Sequence, residues 1–160
     1  PVGEVSVKGA QSNVEAAPTG TYDVKIDYTV TFTNTTDADG SGSDIVLRPQ
    51  VPAGFTLKNV TGTGTPWWIH EDDYAIRPDG SVPLSTGDAL YANSSTTMTF
   101  TNTYTVNADA ITEEGWKALG TCNPQDPSQG LTTRIDIAGS YAGIEAGTHS
   151  TCTTVTRTKN

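Results

Sequence analysis

Cysteine, methionine and basic residues are all scarce in this chain, and each shortage closes off a class of function. Nine Lys and Arg stand against eighteen Asp and Glu among 160 residues, a formal charge of −9 at pH 7. A chain without a basic face cannot displace counterions from DNA, RNA or an anionic membrane, so none of these is an expected partner. Acidity of this degree fits a soluble extracellular protein, where it keeps chains apart. No apolar run approaches the roughly 18 residues that would suggest a membrane helix. Neither a basic n-region nor an apolar h-region follows Pro1, so we expect a mature segment or an excerpt of something longer. Nucleophile elbow, phosphate loop and Cys/His pair are all missing, and no motif ties His70 or His149 to a serine or threonine. A non-enzyme is expected.

The two cysteines, Cys122 and Cys152, are too few for a metal site, which needs further closely spaced ligands. In an acidic chain rich in Thr, Asn and Gly they suit one disulfide formed in an oxidising compartment, the alternative being two buried thiols.

Threonine is the commonest residue and glycine reaches 16, a composition that favours pleated strands and tight turns over helices. "TYDVKIDYTVTFTNTT" is the clearest strand. Tyr22, Val24, Ile26, Tyr28, Val30 and Phe32 alternate with polar residues, so one face is expected in the core and the other in water. "DADGSGSD" breaks the pattern as a loop. "DIVLRPQVPAGFTLKNV" reads as a resumed strand whose later half Pro49 and Pro52 confine to an edge or a turn at Pro52-Ala53-Gly54. A hairpin-like turn is expected at Asp79-Gly80. In "STTMTFTNTYTV", Met98, Phe100, Asn102, Tyr104 and Val106 share a face. "DAITEEGWKALG" is the one helical signal, with Thr112 as cap, Glu113 and Glu114 in the first turn and Gly120 as stop. "LTTRIDIAGSY" and "STCTTVTR" close the chain as strands. The expected fold is all-β: an antiparallel sandwich of about seven to nine strands with one short inserted helix. A single domain is expected over 1–160, with the helix and loop inserted at about 109–130.

The order of these features resembles an Ig-like repeat of bacterial and archaeal cell-surface proteins, a domain of unknown function found in stalks and adhesins. In that family a "Y-x-V-x-Y-x-V-x-x-x-N-T" strand leads through a Gly/Asp/Ala loop to an edge strand ending "L-P-x-G". A "G-x-G-W" stretch follows, as "TYDVKIDYTVTFTNTTDADGSGSDIVLRPQVPAGFTLKNVTGTGTPWW" does here. The later "LYANSSTTMTFTNTYTV" and "LTTRIDIAG … STCTTVTR" are similar to the family's closing strands. Two features depart from it: Pro49 stands where the family usually has an acidic residue, and the helix with "CNPQDPSQG" is an insertion. The resemblance implies an extracellular, often tandemly repeated module, and no ligand.

Four groups are candidate sites. In "TGTGTPWWIHEDDYAI" the family's tryptophan is a core residue, so one of Trp67 and Trp68 is expected inside and its neighbour on the other face. An exposed Trp67 or Trp68 near His70 could instead stack on a sugar ring. His70, Glu71, Asp72 and Asp73 contain metal-ligand and acid/base chemistry, but adjacent side chains on a strand diverge, and a solvated acidic loop is the plainer reading. Asp37, Asp39 and Asp44 carry the oxygen ligands of a calcium loop without the spacing of an EF-hand, so no cofactor is expected. Finally, Asn102 lies on the inward row, as the asparagine of a Lys–Asn isopeptide bond would, but Lys25 faces solvent and Lys8 is out of step with Val5 and Val7.

The functional expectation is a non-catalytic spacer, stalk or adhesin segment of a secreted, cell-surface or cell-wall protein or a bacterial fimbria. Its partners would be neighbouring domains of the same chain, with a host or surface glycan or protein as a further possibility. The alternative is a carbohydrate- or ligand-binding module using Trp67 or Trp68.

Overall fold

The computed structural model describes residues 4–9, 12–39, 44–63, 75–84, 91–138 and 147–159. Its framework is the antiparallel pairing of β3 (Thr21–Asn34) with β7 (Ser94–Asn107), fourteen residues each and in register along their whole length, from Thr21 opposite Asn107 to Asn34 opposite Ser94. Alternation decides which side of this ladder is dry. Val24, Ile26, Tyr28, Val30 and Phe32 of β3 are buried, with Phe100, Tyr104 and Val106 of β7. Intervening residues such as Asp23, Lys25 and Asp27 are exposed. The inward rows are therefore those that period two assigns.

Two flanking strands complete the first sheet, in the order β1-β3-β7-β5, with β1 (Glu4–Gly9) along β3 and β5 (Phe55–Thr63) along β7. The second sheet has the order β2-β9-β8-β4-β6, formed by β2 (Asn13–Ala16), β4 (Asp44–Pro49), β6 (Val82–Leu84), β8 (Leu131–Ala138) and β9 (Gly147–Arg157). Their inner faces meet in one hydrophobic cluster that runs from Ile45 and Leu47 through Phe32 and Phe100 to Val155. The all-β sandwich is thus the observed fold, with nine strands among the described residues.

Two details differ from the sequence expectation. The run "DIVLRPQVPAGFTLKNV" is not one strand but two, β4 and β5, in opposite sheets. Pro49 ends β4 and the chain crosses the sandwich at 50–54. Gly54 has φ of 87°, and a Cβ there would lie 2.5 Å from the Ile111 side chain, so the crossing needs glycine twice over. The strand that Pro49 terminates is also interior to its sheet, between β8 and β6, because the proline falls at the strand's last position. Second, the pairing is not wholly antiparallel: β2 runs parallel to β9.

A polar group sits in the middle of the core. Asn102 is fully buried, and its Nδ2 donates to the hydroxyls of Tyr104 at 3.4 Å and Thr133 at 3.2 Å. Thr133 in turn donates to the Tyr28 hydroxyl at 3.0 Å. Burial pushes the Tyr104 phenol up to about 12 and the Tyr28 phenol higher still, so both remain neutral at any physiological pH. These four side chains come from β3, β7 and β8. They tie the sheets together with directional bonds where methyl packing alone would allow one sheet to slide on the other.

Helix α1 (Glu113–Leu119) lies where the sequence places it. The Thr112 hydroxyl accepts the Gly115 N–H at 3.0 Å, Glu113 and Glu114 occupy the first turn, and Gly120 caps the end. Trp116 and Leu119 bury one side of it against the core. Cys122 and Cys152 are bonded, with Cα atoms 6.1 Å apart across a separation of 30 residues, fastening the segment after the helix to β9. Gly130 (φ 67°) allows this, because a Cβ there would collide with both sulfurs.

Two outcomes follow. Phe100→Ala should cost about 3–5 kcal/mol in urea unfolding, whereas Thr101→Ala, one residue on and facing out, should cost less than about 1 kcal/mol. Equal costs would mean that β7 sits in another register. The native protein should take up no thiol label until reduced, and reduction should lower stability by roughly 3–4 kcal/mol in the chain-entropy account of a loop of this size.

Candidate functional site

The arrangement with the clearest mechanical consequence is the seam between β2 and β9, strands near opposite ends of the described chain. Asn13, Val14, Glu15 and Ala16 pair in parallel with Thr154, Val155, Thr156 and Arg157. Beyond the ladder, Thr154 N–H donates to the Ser12 carbonyl at 3.0 Å and Thr158 N–H to the Ala16 carbonyl at 2.8 Å. Side chains reinforce it. The Asn13 Oδ1 accepts from the hydroxyls of Thr154 at 2.6 Å and Thr156 at 2.8 Å, and the Thr154 hydroxyl is also 3.1 Å from the Ser12 carbonyl. Val155 and Ala16 are buried beneath the seam.

Each strand is anchored behind the seam. Where β2 turns into β3, the Tyr22 hydroxyl donates to the Ala17 carbonyl at 2.6 Å and Ala108 N–H to the Gly20 carbonyl at 2.8 Å. At the far end of β9, the Arg157 guanidinium makes a two-pronged pair with Glu113 of α1, at 2.8 and 2.9 Å, and lies 5.5 Å from the centre of the Trp116 ring. Hydrogen bonding to Arg157 first, and its charge second, hold the Glu113 carboxyl below its ordinary range. The disulfide fixes β9 five residues earlier, at Cys152. An ion pair and a covalent bond thus bracket the β9 half of the seam, and both run to α1 and the segment that follows it.

The two sandwich faces that look outward are polar. On the first sheet, hydroxyls pair across strands, Thr31 with Thr97 at 3.1 Å and Thr33 with Ser95 at 2.8 Å. Farther along, Thr101 and Thr105 donate to Asp27 and Asp23. Lys58 pairs with Asp23 at 2.9 Å. These groups satisfy one another.

The sequence candidates fall as follows. Trp67, Trp68 and His70, with Glu71, Asp72 and Asp73, lie outside the described residues. Asp37 and Asp39 hold a turn: Asp37 Oδ1 accepts from Asn93 Nδ2 at 3.1 Å and Asp39 Oδ1 from Ala92 N–H at 2.8 Å. Asp44 begins β4, and its side chain is outside the described set. Asn102 is inward, Lys25 is exposed, and the register sets Lys8 opposite Thr29. The seam itself went unnoticed in the sequence. Its four-residue strand is too short for a periodic signal.

No protein-family model and no curated protein matches the chain. Solved structures do. A variant of BcpA, the major pilin subunit of Bacillus cereus, superposes with a TM-score of 0.53 at 8% identity, covering 99% of this chain and 41% of that one. A type I ScaB cohesin from Pseudobacteroides cellulosolvens gives 0.48 at 14% identity, covering 99% and 95%. The cohesin module of a family 33 glycoside hydrolase from Clostridium perfringens gives 0.48 at 11%, covering 96% and 98%. At such identities the likeness is one of fold.

The Arg157 anchor has a pH signature. A carboxyl whose folded pKa is depressed contributes stability that is present above its unfolded value, about 4.3, and is lost as pH falls through the folded value. The gap in melting temperature between the native protein and Arg157→Gln should therefore be full at neutral pH and narrow below about pH 4. The part owed to stacking on Trp116 should persist. A gap that stays constant from pH 7 to pH 3 would leave the ion pair without a role.

Proposed function

We propose that this chain is a non-catalytic structural module, a spacer, stalk or adhesin segment of a bacterial cell-surface or fimbrial protein, that bears tension between neighbouring domains. The observation that carries this reading is the parallel β2–β9 seam. In a parallel pair, the N-terminal end of one strand and the C-terminal end of the other lie at opposite ends of the ladder. Tension applied at those ends pulls the strands along each other. Every inter-strand hydrogen bond is then loaded together, where an antiparallel hairpin pulled at its open end yields one bond at a time. Each bond contributes only about 0.5–1.5 kcal/mol at equilibrium, so resistance to force depends on how many must break at once. Forced unfolding is governed by the unfolding barrier, and this geometry raises it along one direction.

The remaining features support the same use. The anchors of β9 to α1 and to the disulfide keep the loaded strand from peeling. The disulfide fits an extracellular location. A major pilin subunit is among the solved structures that share this fold. Among the described residues, the outer faces carry paired hydroxyls and ion pairs and no nucleophile set against a base.

Direction of pull tests the proposal within one molecule. Optical tweezers with handles at Ser12 and Thr158 load the seam along its length. Handles at Ala17 and Thr158, adjacent ends of the same two strands, peel it. The first geometry should unfold at several-fold higher force than the second. Equal forces in the two geometries would remove the basis for a tension-bearing role.

A further inference from the structure

The outer face of the second sheet contains an arrangement that the spacer reading does not use. Arg48 of β4 stands directly opposite Arg134 of β8. Like charges facing each other across an antiparallel pair destabilise it. One carboxylate mediates between them. Asp136 Oδ2 accepts from Arg48 Nε at 2.7 Å, and its Oδ1 is 3.2 Å from Arg134 Nε and accepts from the Thr148 hydroxyl at 2.9 Å. Burial alone would raise the Asp136 pKa, but the bonds from Arg48 and Thr148 and the charge of Arg134 outweigh it and hold the carboxyl ionised. Two guanidiniums carry ten N–H groups between them, and Asp136 can occupy only a few.

This pair forms the floor of a groove of about 400 Å³. One wall is the turn at 77–81, where Asp79 Oδ1 is held by the Ser81 N–H and hydroxyl, leaving Oδ2 4.0 Å from Arg48 Nη1. Arg77, at the start of that turn, adds its own charge beside Asp79. The opposite wall is the inserted loop, which presents Pro124 and Pro127. That loop is braced internally by Asn123 and Asp126 and bolted to the floor by the Cys122–Cys152 bond. Two of the chain's four arginines thus line one groove with Asp79, and Arg77 acts on Asp79 from beside it, in a molecule whose net charge is −9.

We propose that this groove binds an acidic peptide segment, from a neighbouring domain or a partner protein, through the carboxylate side chains that the unused donors of Arg48 and Arg134 are arranged to take. Arginine forks match carboxylates two bonds at a time, and the volume suits a few side chains, not a folded domain. Among the described residues no aromatic ring lines the groove, so that part of it offers no platform for sugar rings to stack on, and the arginine forks are matched to peptide carboxylates. Thr132, Ser150 and the Gln50 side chain add polar partners along the floor. None of the residues paired across the β2–β9 seam lines the groove, so the two proposals are tested independently.

Amide NMR titration of the whole disulfide-bonded protein tests it, using a hexapeptide of alternating glutamate and glycine, its glutamine counterpart and oligogalacturonate. The glutamate peptide should give saturable shifts confined to Gln50, Ser81, Thr132, Ser150 and the side-chain Nε groups of Arg48 and Arg134. The affinity should fall about tenfold in Arg134→Gln, as for one lost charge-assisted contact, and fade at about 1 M salt. Asp136→Asn, which releases both guanidiniums, should bind the peptide more tightly, an effect that a purely structural ion-pair cluster would not produce. Absence of saturable shifts, equal response to the glutamine peptide, tighter binding of oligogalacturonate, or unchanged affinity in both variants would overturn the assignment.

Discussion

Everything in this sandwich is referred to the register of β3 against β7. Fourteen residues on each strand pair without a slip, and because side chains alternate strictly, a shift by one residue would turn every inward group out. Tyr28 and Phe100, directly opposite each other, stack at 5.1 Å in the middle of that ladder. The same register delivers Asn102 to the core and fixes the distance at which it meets Thr133 of the second sheet. Hydrophobic burial would accept several offsets between two greasy faces. Two tyrosine hydroxyls, a threonine and an amide accept few, since each lost partner leaves a buried polar group unsatisfied. The Oδ1 of Asn102 has no hydrogen-bond partner among the described residues.

From that frame outward, the chain spends its special residues on fastening β9. An acidic, threonine-rich chain has weak surface chemistry for holding a terminal strand: single ion pairs on an exposed face contribute little. The structure answers with different kinds of bond at successive points. The disulfide holds Cys152, the core holds Val155, and Glu113 with Trp116 holds Arg157. The place of α1 makes sense on this account. It carries both the acid and the indole that receive Arg157, and it returns the chain at the height where Cys122 can reach β9. Gly130 has no side chain because the two sulfurs occupy the space that one would fill.

The sequence made the frame readable because long strands with one wet face write their pattern plainly. β3 and β7, the Thr112-to-Gly120 helix and the turn at Asp79-Gly80 are local, and local rules found them. Topology was less legible. Pro49 and Pro52 marked a break but not that the chain changes sheets there, since a crossing and a turn use the same residues. The β2–β9 seam was invisible. Four residues give no periodicity, and their partner lies about 140 positions away. Parallel pairing also has no hairpin to announce it. The arginine groove was missed for a related reason. Arg48 and Arg134 are far apart in sequence, and only the β4–β8 register makes them neighbours. The candidates that sequence did single out were conspicuous by composition: adjacent tryptophans, a run of acids, aspartates among glycines. Two of those aspartates, Asp37 and Asp39, are engaged in holding Ala92 and Asn93, so the same residue types that resemble a calcium loop also serve a turn.

The seam and the groove share a component, and this limits what the inserted segment can be for. A disulfide whose only task was to hold β9 could join it to any neighbouring loop. Here the bond brings nine residues of loop across the outer face of the second sheet, where Asp126 accepts from Ser128 and Gln129 to keep that loop in one shape. Shape of that kind is unnecessary for a staple, since a slack loop closes a disulfide as well as a braced one. It is necessary for a wall. Proline at 124 and 127 points the same way, because each fixes a backbone angle and reduces the freedom the loop would lose on holding a ligand. The two arginines on the floor are costly to the sheet unless something offsets their repulsion, which Asp136 does from between them and Asp79 from 4.0 Å beyond Arg48.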